Sequence, residues 1–170
     1  TDSSFDTVVT VRTEEKGKRI IEAHPNVPKE KLSYVIVKDV AKDGAFDDLA
    51  DIIPLTSTPT NGNITGRQIK PPFDYVLHTA SPFHFNVQDP VKDFLDPAIK
   101  GTTGILKAIK EYAPTVKRVV ITSSFAAIVN GKQHPKVYSE KEWNPVTWEE
   151  AMDHSQVYRG SKVCDTCRSA

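Results

Sequence analysis

A chain of 170 residues, 38% hydrophobic and 26% charged, is long enough to bury one core. Its 22 basic and 22 acidic residues cancel, so no net field draws it to nucleic acid or to an anionic membrane. No apolar run approaches the roughly 20 residues that span a bilayer, and no basic-then-apolar leader opens the chain. Cys164 and Cys167 are too few for a disulfide framework, and a reducing compartment such as the cytoplasm is expected.

Thr7-Val-Val-Thr-Val11 is a β-branched run that predicts a buried strand. The pattern over 14–23 predicts a helix stopped by Pro25 and Pro28. A second strand is predicted over 32–37, a short amphipathic helix over 45–53 and a long surface loop over 54–72. A third strand over 73–78 leads into Thr79-Ala-Ser-Pro-Phe83. Asp89 and Pro90 are cap and first-turn residues for the next helix. On it Val91, Phe94, Leu95, Ala98, Ile99, Thr102, Ile105, Leu106 and Ile109 share one side, and Gly101 and Gly104 are expected to allow close approach to the sheet. A fourth strand over 116–122 ends at Ser123-Ser124, Thr147-Trp-Glu-Glu150 has the form of a capping box, and a last helix begins near Ser155. Strands alternating with helices predict one α/β domain with a parallel sheet.

Ligands of such a sheet sit beyond the carboxyl ends of its strands. That rule selects Arg12, Asp39-Val40, Thr79 to Phe83 and Ser123-Ser124. An arginine there suits a ribose 2′-phosphate, and Lys16 is one helical turn further on; both fit a solvated helix face as well. Ser124 offers a hydroxyl to a carbonyl oxygen. Tyr158-Arg-Gly-Ser-Lys162 sets a phenol and an amine on one face of a helix. A positive charge beside a phenol favours its ionised form and makes it a better proton donor. Tyr-x-x-x-Lys alone is also common on solvated helices. His78 and His84 have no third ligand at metal-binding spacing, so no metal is expected. Cys164-Asp-Thr-Cys167 lacks the context of a redox pair.

Five stretches in order, Val11-Arg-Thr-Glu-Glu-Lys16, Val76-Leu-His-Thr-Ala-Ser-Pro-Phe83, Val119-Val-Ile-Thr-Ser-Ser124, Trp143-Asn-Pro-Val-Thr-Trp148 and Tyr158 to Lys162, carry a resemblance. The chain resembles the extended short-chain dehydrogenase/reductases, in the aldehyde- and ketone-reducing branch that includes methylglyoxal and dihydroflavonol reductases. The resemblance implies a Rossmann-like sheet and NADPH-dependent reduction of a small carbonyl substrate. Arg12 and Lys16 would hold the 2′-phosphate, Asp39 and Val40 would flank the adenine, and Ala80, Ser81 and Pro82 would line the nicotinamide-ribose side. Ser124, Tyr158 and Lys162 would be catalytic, and Phe83 and Phe125 would shape a hydrophobic pocket.

The 170 residues contain no glycine-rich dinucleotide turn. Against the family pattern they correspond to a partial dinucleotide-binding domain over 1–170, lacking the first strand, that turn and the C-terminal lobe. Such a chain is expected to bind NADPH weakly and to show little activity. Its exposed strand edges also allow a homo-oligomer, or a non-catalytic interaction module.

Overall fold

The computed structural model describes residues 5–47, 73–84 and 86–167. Strand β1 (Thr7–Val11) pairs in parallel with β2 (Leu32–Ile36), Thr7 opposite Leu32 and Val11 opposite Ile36. Between them runs helix α1 (Glu14–Ala23), capped by the Thr13 hydroxyl on the Lys16 amide. It crosses over β2 closely: a Cβ on Gly17 would lie 2.3 Å from the ring of Tyr34.

The second parallel pair is β3 (Tyr75–His78) with β4 (Arg118–Ile121), in register from Tyr75 opposite Arg118 to His78 opposite Ile121. Helix α2 (Asp96–Tyr112) links them. The chain enters it through a π-helical turn, Val91–Leu95. Pro97 accounts for the irregularity. It has no N–H to give the Asp93 carbonyl four residues back, and the Asp96 amide bonds to the Val91 carbonyl instead. His84 Nε2 lies 3.4 Å from the Asp93 carbonyl oxygen, supplying a partner that Pro97 cannot. Ahead of this turn Asp89 accepts from the amides of Val91 and Lys92, as a capping residue should.

One core cluster joins the two strand pairs: Val37, Val40, Ala45 and Phe46 after β2, Val76 of β3, and Ile105, Ala108 and Ile109 of α2. Gly101 and Gly104 approach Val40 and Phe46 at ordinary contact distance rather than the strands themselves. A second cluster packs Phe94 and Leu95 on Ala151 and Val157. These belong to the short helix α3 (Trp148–Ala151), with its Thr147–Glu150 capping box, and to α4 (Val157–Cys167). Phe5 meets Tyr75 edge-on at 6.5 Å, so the starts of β1 and β3 lie side by side. No ladder joins the pairs among the described residues. Strand β1 spans the predicted residues, while β2, β3 and β4 are one, two and three residues shorter than the pattern predicts. The loop expected over 54–72 and most of the helix expected over 45–53 lie outside the described residues; 45–47 form a turn that buries Phe46.

Candidate active site

Strand β4 delivers Ser124 three residues past its end. The residue has extended backbone (φ −145°, ψ 154°) and caps the 3-10 turn Phe125–Ala127, its Oγ accepting from the Ala126 amide at 3.2 Å. Tyr158, in the first turn of α4, points its phenol at the same oxygen, 3.4 Å away. That is long for an O–H···O bond. With Ser124 Oγ accepting from both groups, its own proton is left to give to a third oxygen.

One turn along α4, Lys162 is buried at 5% exposure. Its Nζ donates to the Ser81 hydroxyl and lies 5.5 Å from the centre of the Tyr158 ring. Phe83, from the same segment as Ser81, meets the Tyr158 ring edge-on at 5.6 Å. Four of the sequence-selected residues, Ser81, Ser124, Tyr158 and Lys162, thus converge at the carboxyl ends of β3 and β4, with Phe83 beside them. Phe125 is exposed and packs edge-on against Tyr138 at 5.1 Å, and Tyr138 in turn shares a 2.7 Å hydrogen bond with His134 Nδ1.

The other selected residues lie at the ends of β1 and β2 and beside Ser81. Arg12 and Lys16 are exposed. Asp39 is exposed and accepts from the Ala41 amide at 2.9 Å, forming its own turn. Val40 is half-buried in the core cluster against Gly101. Ala80 is exposed and Pro82 half-buried. His78 is buried beside Thr102, and no group of metal-ligating side chains forms among the described residues.

No protein-family profile matches the chain. Ketoreductase azaE of Aspergillus niger is 49% identical over 162 residues, 95% of this chain and 43% of that protein. The NADPH-dependent methylglyoxal reductase GRE2 of Saccharomyces cerevisiae is 39% identical over 163 residues, 93% of this chain and 42% of that one. Yeast methylglyoxal/isovaleraldehyde reductase Gre2, solved in complex with NADPH, superposes with a TM-score of 0.78 at 33% identity, over 98% of this chain and 45% of that one. Over nearly its whole length the chain is thus similar in sequence and fold to reductases of the extended short-chain dehydrogenase/reductase type. It spans less than half the length of these relatives, and its parallel strands and covering helices are the α/β arrangement that the residue pattern predicts, in the Rossmann-like form that the resemblance implies.

Two groups near the site have no mark in the sequence pattern. Tyr138 and His134 lie in an irregular stretch that carries no periodicity to mark them. Asn144 lies inside the Trp143-Asn-Pro block, where residue order rather than side-chain chemistry is the signal.

Proposed function

We propose that the cluster of Ser124, Tyr158 and Lys162 is a reductive site that converts a small aldehyde or ketone to its alcohol, with NADPH as the reductant. The observation that carries the reading is the convergence of two hydroxyls and a buried amine at the strand ends. NADPH supplies a hydride when bound. Exposed cationic side chains at Arg12 and Lys16 suit a 2′-phosphate, Asp39 and Val40 suit the adenine side, and Ala80, Ser81 and Pro82 suit the nicotinamide-ribose side. The Lys162 amine, already on the Ser81 hydroxyl, is a fitting donor to ribose hydroxyls. Ser124 Oγ donates to the carbonyl oxygen and withdraws charge from it. Tyr158 gives that oxygen its proton as the C–H bond forms, so carbonyl, hydride and proton become one alcohol. Phe83 and Phe125 offer an apolar surface to the substrate's substituents.

The test is NADPH oxidation by the purified chain with small aldehydes and ketones. Tyr158→Phe and Ser124→Ala should each lower kcat/KM by about 10²–10⁴-fold, while Arg12→Ala should weaken NADPH binding in a fluorescence titration. Full activity in Tyr158→Phe would remove the phenol from the mechanism.

A second reading, a non-catalytic module that associates through its strands, is favoured by one observation. Tyr75, Leu77 and Val120 are exposed on one face of the β3–β4 pair, Leu77 at 73%, and neither strand pair is closed by a neighbour among the described residues. NADPH titration separates the readings: no binding at any concentration, with self-association in a sedimentation experiment, favours the module.

A further inference from the structure

Asn144 lies between the 3-10 turn and α3 and is buried at 7% exposure. A primary amide taken out of water must find partners inside the protein. Asn144 directs its donors at one target. Its Nδ2 donates to the Ala126 carbonyl at 2.9 Å, and its backbone N–H donates to the Ala127 carbonyl at 2.8 Å. Its Oδ1 accepts from the Val146 amide at 3.1 Å, which fixes the side chain in place.

The residues gripped in this way by their carbonyls grip Ser124 by their amides. The Ala126 amide donates to Ser124 Oγ at 3.2 Å, and the Ala127 amide donates to the Ser124 carbonyl at 3.0 Å. The Ala126 carbonyl and the Ala127 N–H also belong to one rigid peptide plane. A bond from Asn144 to one end of that plane therefore orients the bond to Ser124 at the other. We propose that Asn144 is a positioning residue, which fixes Ser124 Oγ against the Tyr158 phenol through the Ala126–Ala127 backbone. Its functional meaning rests on the reductive reading of Ser124, although the mechanical link does not. A loop anchor alone would need only the backbone bond; the side-chain amide aimed at the same turn is the added device.

Residue-resolved amide hydrogen exchange on the 170-residue protein tests this without cofactor or substrate. Asn144→Asp keeps the acceptor for Val146 but sets an oxygen against the Ala126 carbonyl; Asn144→Ala removes both bonds. Exchange at the Ala126 and Ala127 amides should quicken about tenfold in each variant, while Ile105 and Ala108 of α2 keep their native rates. Native rates at Ala126 and Ala127 in both variants overturn the proposal. Equal acceleration at every amide, α2 included, also overturns it, because Asn144 would then serve general stability alone. Failure of the reductive reading registers elsewhere, as NADPH oxidation that Tyr158→Phe leaves unchanged.

Discussion

Lys162 is an amine removed from water, and a group of that kind persists in a fold only when its polar atoms are answered. Here the Ser81 hydroxyl answers it from a position 81 residues away in the chain. Replacing such a group with an apolar one of similar shape is often neutral for stability, so Lys162→Met should melt near the native temperature yet lose carbonyl reduction. A parallel drop in both would assign the lysine to the core alone. Acid should act on the same region through its carboxylates. The Ser139 hydroxyl and amide hold Glu142 below the ordinary carboxylate range, and Lys132, then the Thr147 amide, hold Glu150 below it. Lowered in the folded state, both groups contribute stability that is complete above their unfolded values of about 4.3 and is lost as pH falls through the lower folded values. Thermal melts should therefore be level from neutrality to about pH 5 and fall in more acid solution, with Glu142→Gln flattening the slope. Tyr158, Lys162 and Ser124 could be read from the sequence because helix spacing and the strand-end rule each select them locally. The Ser81–Lys162 bond and the Asn144 clamp could not, since only the folded topology brings their partners together.

At the scale of elements, α4 owes its place to two close contacts. Phe94, 2% exposed, and Leu95 fill the space beneath it, and Gly160 lets α3 approach so nearly that an added Cβ would lie 2.3 Å from the Ala151 Cβ. Phe94→Ala should cost about 3–5 kcal/mol. Gly160→Ala should cost about 1–3 kcal/mol through overpacking and, by shifting α4, should loosen the Tyr158–Ser124 pair; denaturant titration with a parallel NADPH oxidation assay would check both. Strand β1 and helix α1 fall where the residue pattern puts them, because a β-branched run and a Thr-capped, proline-stopped helix carry their limits locally. The π-helical turn was hidden, as apolar spacing at 91–109 reads smoothly through Pro97. The glycines of α2 misled for a related reason: spacing marks which side faces inward, not which loop waits there.

At the scale of the molecule, the apolar face of β3–β4 should make association depend on concentration. Leu77→Lys should shift sedimentation toward the monomer, and unchanged sedimentation across dilution would deny this face a part in assembly. Among the described residues the two strand pairs are joined by packed side chains rather than by a shared ladder, and this has a further thermodynamic consequence. Backbone pairing spreads a disturbance across a sheet, whereas a patch of Val37, Phe46, Val76 and Ile105 transmits only what its packing allows. The half built from β1, α1 and β2 can then open before the half that carries Ser124 and Tyr158. Calorimetry should register this as a measured enthalpy larger than the van't Hoff value, and any ligand spanning both halves should draw the two transitions into one.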